Sequence, residues 1–93
     1  MQIKQCTLNG KTIHSLEDLY DQLAIGLSLL KHFGRNLDAL WDVLSTDVEG
    51  PFKIVWEHSG ESKKFMGKDF DRVVRLFEDL QKEREDFKLK IEK

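Results

Sequence analysis

The sequence predicts an α/β fold, a small three-stranded parallel sheet under about four helices. Two observations carry this. Three separate runs have strand character, and each consecutive pair of runs is divided by two stretches of helical periodicity. The order strand, helix, helix, strand, helix, helix, strand makes each connection a crossover, as a parallel sheet requires.

Residues 2–8 form the first expected strand (Ile3, Cys6, Thr7, Leu8), and Asn9-Gly10 marks a tight reversal after it. Ser15 reads as an N-cap with Glu17 and Asp18 in the first turn. Leu16, Leu19, Tyr20, Leu23, Ala24 and Leu27 then keep the helical period, which fades near Gly26. A connection over 28–35 leads into a second helix over about 36–46, stopped by Gly50-Pro51. Phe52-Lys53-Ile54-Val55-Trp56-Glu57 is the most strand-like run and predicts the central strand. Ser59-Gly60-Glu61 reads as a break, followed by a short helix over 62–66. A longer helix starts near Lys68, with Phe70, Val73, Val74, Phe77 and Leu80 inward. Residues 86–91 alternate apolar and charged side chains, which predicts a strand with one buried face whose lysines discourage edge pairing.

Ninety-three residues make one expected domain, 1–93, with a single modest core. A formal net charge of −2 with interspersed signs gives no basic field for nucleic acid and no polybasic segment for a membrane. One cysteine, Cys6, excludes an intrachain disulfide and reads as buried strand filler. No signal-like start and no run near the ~20 apolar residues of a membrane span occur, so a reducing, cytoplasmic location is expected. His14, His32 and His58 form no metal-ligand spacing, no serine or cysteine sits in a nucleophile motif, and the lone glycines form no phosphate loop. No metal, cofactor or catalysis is expected. The cations Lys63, Lys64, Lys68, Arg72 and Arg75 are mixed with Glu61, Asp69, Asp71, Glu78 and Asp79 and read as a solvated helix face.

Residue choice exceeds what packing needs in one segment, Gly34 to Asp42. Leu37, Leu40, Trp41 and Leu44 supply the apolar stripe of a docked helix, while Asp38, Asp42, Ser45 and Glu49 form a second stripe beside it. Asn36 is a good N-cap, and Asp38 in the first turn complements the helix dipole. Asp42 lies too deep for that benefit and stands at the like-charge i, i+4 spacing from Asp38, which costs roughly 0.2–0.5 kcal/mol.

The run Phe33-Gly34-Arg35-Asn36-Leu37-Asp38-Ala39-Leu40-Trp41-Asp42-Val43-Leu44, with Leu8-Asn9-Gly10 and Ser15 before it and Pro51 and Trp56 after it, resembles the barstar family of intracellular ribonuclease inhibitors. The resemblance covers the chain but weakens after Trp56 to spacing and the Phe77-Glu78-Asp79 region. It implies a barstar-like fold, an immunity-type protein that is monomeric when free, and an acidic helix that enters the basic cleft of a barnase-like ribonuclease as a phosphate mimic. Asp38 and Asp42 match the principal acidic contacts, Asn36 and Trp41 their neighbours, and Asp79 a further acidic contact where barstar has glutamate. Ser45 lies on the same ridge. At the rim, His32 stands in place of tyrosine, Thr46 of glycine and Asp47 of tryptophan, and Val43 replaces a cysteine. The acidic centre is kept while its frame differs, which implies a different target ribonuclease; the alternative is a barstar-fold interaction module with a non-ribonuclease partner.

Overall fold

The most apolar strand takes the centre, because only a central strand can have both edges paired and its side chains covered from the helical side. In the computed structural model, which describes residues 3–29 and 34–93, β2 (Phe52–Glu57) lies between β1 (Lys4–Asn9) and β3 (Phe87–Ile91), both parallel to it. The remaining elements are α1 (Leu16–Gly26), α2 (Leu37–Asp42) prolonged by a π-type turn (Val43–Asp47), α3 (Ser59–Met66) and α4 (Lys68–Glu83). The register pairs Cys6 with Ile54 and Leu8 with Trp56, then Phe52 with Phe87 and Ile54 with Leu89. All of these side chains therefore share one face of the sheet.

With strand order β1-β2-β3 the chain steps twice in the same direction. Two crossovers of the same hand must then cross the same face. The burial pattern agrees: Cys6, Leu8, Phe52, Ile54, Trp56 and Phe87 are buried with Leu19, Leu23, Leu40, Leu44, Val73, Phe77 and Leu80 from the helices. On the opposite face Gln5, Thr7, Lys88 and Lys90 are exposed and Lys53 is half-buried, and they cover a central Val55 that is only 6% exposed. Parallel sheets usually have both faces covered. Here the two-layer arrangement stays in water because the outward positions are mainly lysine, glutamine and threonine. Covering each of Phe52, Ile54 and Trp56 contributes about 1.5–3 kcal/mol.

The expected caps form. Ser15 Oγ accepts the Asp18 N–H at 3.2 Å while the Asp18 carboxylate accepts the His14 N–H at 2.9 Å, a reciprocal closure of the α1 N-terminus. Its other end is met by Lys4, whose Nζ donates to the Leu27 carbonyl at 3.2 Å. A side chain at Gly26 would collide with Cys6 Sγ, so these two residues set how closely α1 approaches β1. Cys6 is buried, and burial pushes its thiol pKa up to about 11.

Three boundaries differ from expectation. The segment Ser59-Gly60-Glu61 is not a break but the first turn of α3. His58 alone makes the reversal, in the left-handed region at φ 52°, and the Ser59 N–H donates to the Glu92 carbonyl at 2.9 Å. Ile91 is exposed, so the buried face of β3 fades before its end. Glu49 falls beyond the acidic helix, after the extended Val48, and does not prolong the acidic stripe.

The start of α3 matters because Ser62 is fully buried. Its Oγ accepts the Trp56 indole N–H at 3.1 Å and donates to the Gly10 carbonyl at 3.0 Å, joining the central strand to the first turn of the chain. Gly10 itself has no room for a side chain, since a Cβ there would meet the His58 carbonyl. Ser62→Ala would leave a donor and an acceptor buried and unmet, so we expect a loss of roughly 1–3 kcal/mol. Denaturant unfolding followed by Trp fluorescence measures it; a midpoint like that of the wild type would show that the bridge contributes nothing.

Candidate functional site

A helix that offers charged groups to a partner must first be held still, and the acidic helix is held at both ends by arginines. At its start, Asn36 accepts the Ala39 N–H at 2.8 Å through Oδ1 and donates to the Gly34 carbonyl at 2.9 Å through Nδ2. Both ends of this amide are spent on the cap. Just before it, Arg35 has a φ of 41° and reaches α1, pairing with Glu17 at 2.8 Å and Asp21 at 2.7 Å and donating to the Glu17 carbonyl at 3.1 Å. Its guanidinium also lies 5.6 Å from the centre of the Tyr20 ring. These hydrogen bonds, first with Glu17 and then with Asp21, push the Arg35 pKa up.

At the far end the helix widens. The Val48 N–H bonds to the Val43 carbonyl at 3.0 Å, an i to i+5 closure. Such a turn leaves carbonyls without their usual i+4 amide. The Asp42 carbonyl accepts from the hydroxyl of Thr46 at 2.6 Å and from that of Ser45 at 3.3 Å. The Thr46 hydroxyl also lies 3.1 Å from Asp47 Oδ1. Arg84 then takes the carbonyls of Leu44 and Val48 at 2.8 and 2.7 Å through Nη1.

The rest of the Arg84 guanidinium faces Asp86, with Nε and Nη2 each 2.9 Å from a carboxylate oxygen, and its plane sits 4.9 Å from the centre of the Phe52 ring. Neither arginine was assigned a role from the sequence, since no local pattern marks a side chain whose partners lie 14 and 18 positions back, as for Arg35, or 40 and 36 back, as for the carbonyls that Arg84 takes. A glycine or small residue would satisfy the helix-end periodicity of α4 equally well at position 84.

Between these anchors, Leu40 and Leu44 are fully buried, and Leu37 and Trp41 are half-buried against the core. Asp38, Asp42, Thr46 and Asp47 are exposed, and Ser45 is half-buried. Among the described residues no ion pair engages Asp38, Asp42 or Asp79, although ion pairs at 2.7–3.1 Å hold carboxylates elsewhere. Asp38 and Trp41 line an open groove of about 290 Å³ together with Leu37 on α2 and Arg72, Arg75, Leu76 and Asp79 on α4. The fold thus brings Asp79 to Asp38 and Trp41 across the gap between two helices. Asp42, Ser45, Thr46 and Asp47 follow outside that groove, and His32 lies outside the described residues. Among the described residues no group of three or more His, Cys, Asp or Glu could hold a metal ion, and no helix is long and apolar enough to cross a membrane.

A three-stranded parallel sheet crossed on one face by four helices, with an acidic helix laid against the last of them, is the architecture of a known protein family. Residues 3–92 match the family described as Barstar (barnase inhibitor), and the chain belongs to that family. It is also 33% identical over 91 residues to a Bacillus subtilis protein named "Putative ribonuclease inhibitor YrdF", covering 97% of this chain and all of that one.

The Arg84–Asp86 contact makes stability depend on pH. Hydrogen bonding to Arg84, with its charge, holds the Asp86 pKa below the ordinary carboxylate value. A lowered folded-state pKa means that the unfolded chain binds the proton more readily. This contribution is therefore complete above the ordinary value and disappears as pH falls through the depressed one. We expect Asp86→Asn to lower the denaturant midpoint at neutral pH, with the gap to the wild type closing as pH falls below the ordinary carboxylate value. A gap independent of pH would show that Asp86 acts through packing or hydrogen bonding alone.

Proposed function

We propose that this protein binds a barnase-like ribonuclease and blocks its active site, with Asp38 and Asp42 occupying the basic cleft where substrate phosphates would sit, and that it carries out no catalysis. The observation that carries this reading is the pairing state of the ridge: two exposed carboxylates that no ion pair among the described residues engages, on a helix tied down at both ends. Membership of the barstar family supports it.

Physically, the arrangement suits a phosphate mimic. Carboxylates accept charge-assisted bonds from arginine and lysine in the same forked geometry that phosphate oxygens do. A pinned helix loses little further freedom on binding, so less of the interaction energy is spent on ordering. The mild repulsion between Asp38 and Asp42 in the free protein is exchanged for attraction in the complex. On this reading Trp41 contributes a rigid apolar contact beside the acids, Asp79 adds a carboxylate from α4, and Asn36 acts chiefly by shaping the N-terminus. Ser45, Thr46, Asp47 and His32 frame the contact and set which enzyme fits. Acting on a cytoplasmic ribonuclease precursor or product, such an inhibitor would protect the cell that makes the enzyme.

The test is inhibition of RNA cleavage by a panel of small ribonucleases with basic clefts, barnase among them. We expect tight inhibition of at least one enzyme, and its loss in Asp42→Ala by at least ~2 kcal/mol of binding, a hot-spot magnitude for which the barnase–barstar pair is itself a type case. The same variant should fold as well as the wild type or gain roughly 0.2–0.5 kcal/mol from the relieved repulsion. No inhibition across the panel, or a variant that loses fold stability and keeps its partner, overturns the proposal.

Charge-guided encounter adds a second expectation. The association rate with the inhibited enzyme should fall steadily as salt rises, because rim charges act mainly through encounter and are screened within about 10 Å at 0.1 M salt. Stopped-flow mixing across an ionic-strength series measures this, and a salt-independent rate would exclude electrostatic steering.

A further inference from the structure

The groove beside the acidic ridge is not acidic throughout. Arg72, Arg75, Leu76 and Asp79 stand at i, i+3, i+4 and i+7 on α4 and all line it, opposite Leu37, Asp38 and Trp41 on α2. This stripe is distinct from the buried one of Phe70, Val73, Phe77 and Leu80. Arg72 and Arg75 are solvent-exposed, as the sequence predicts, and the stripe they share faces α2.

The two arginines are differently engaged. Arg72 pairs with Asp69 at 3.1 Å within its own helix, with 63% of its side chain exposed. Arg75 is exposed, and among the described residues no ion pair holds it, even though Asp79 lies one turn further along the same stripe. The groove therefore presents one carboxylate on α2, Asp38, and on α4 both Asp79 and the Arg75 guanidinium, which no ion pair among the described residues holds, over a floor of Leu37, Trp41 and Leu76.

Resting on the ribonuclease-binding reading above, we propose that Arg75, with Arg72 beside it, is a specificity determinant that selects a ribonuclease carrying a carboxylate on the rim of its basic cleft. The argument is one of charge complementarity. A uniformly acidic face would attract any basic cleft and discriminate weakly among them. Placing arginines beside the acids means that a cleft with cations on both sides meets like charge on α4, which costs several-fold or more in affinity. A partner that covers Arg75 without offering a carboxylate also leaves a desolvated charge unpaired. Specificity arises from this penalty on the wrong partner as much as from the new pair with the right one. The carboxylate would lie against the guanidinium edge while the apolar floor takes the stem of the same residue.

The experiment uses the same ribonuclease panel and compares the wild type with Arg72→Gln/Arg75→Gln and with Asp42→Ala. Both arginines are exposed, so the double variant should keep the unfolding temperature of the wild type. We expect the affinity of the wild type's preferred enzyme, taken relative to the rest of the panel, to fall about tenfold or more in the double variant, through weaker binding of the preferred enzyme and tighter binding of the others. An unchanged ratio, or an equal change for every enzyme, overturns the proposal. If the ratio is unchanged while Asp42→Ala still loses binding, the arginine inference fails alone; if Asp42→Ala binds as the wild type does, the inhibitor reading itself fails.

Discussion

The guanidinium of Arg84 is where three parts of the chain meet, and the position of the acidic helix follows from it. One edge takes the Leu44 carbonyl of the wide last turn and the Val48 carbonyl just beyond it, the other takes Asp86 just before β3, and the plane lies over Phe52 at the start of β2. Only 14% of its side chain is exposed. In such a place each bond is worth more than at the surface, and an unmet carbonyl would cost more. Lysine could not substitute, because a point charge on a flexible stem cannot bond two carbonyls and a carboxylate in one plane. The π-type turn and Arg84 are thus a single device: the wide turn leaves carbonyls available, and the arginine uses them to fasten the helix to the sheet.

At the other end the fastening is weaker by construction. Arg35 joins the acidic helix to α1 through Glu17 and Asp21, but 38% of its side chain is exposed and both partners are more exposed still. Surface ion pairs of this kind contribute little to global stability. Their value here is geometric. With Asn36 closing the first turn, Arg35 fixes the direction from which the chain enters α2, so that the ridge bearing Asp38 and Asp42 faces outward from two fixed ends.

The open face of the sheet and the acidic ridge express the same topological fact. Because both crossovers lie on one face, all four helices share one layer, and α2 and α4 come to lie side by side with a groove between them. Helices on opposite faces could never combine Asp38 with Asp79 or with Arg75. A single layer also leaves the outward side of the sheet to a buried Val55 at its centre and to lysine, glutamine and threonine around it, polar side chains that keep parallel edges from pairing with other chains.

Much of this was legible in the sequence because the signals are local. The order of elements, the central place of Phe52–Glu57, the Ser15 and Asn36 caps and the inward stripe of α4 depend on periodicity and on short-range hydrogen bonding, both of which are written within a few residues. The acidic ridge was legible for the same reason, as was the oddness of Asp42. What tertiary structure decided involves partners distant in the chain. Ser59 joins α3 because Glu92 receives its amide, Ser62 is buried because Trp56 and Gly10 need it, and Arg84 finds Leu44 and Val48 some forty positions back. The sequence also showed Arg72 and Arg75 only as charges on a helix. That they share a groove with Asp38 depends on where α4 lies against α2, and that is set by the packing of the whole layer, which no short window of residues contains.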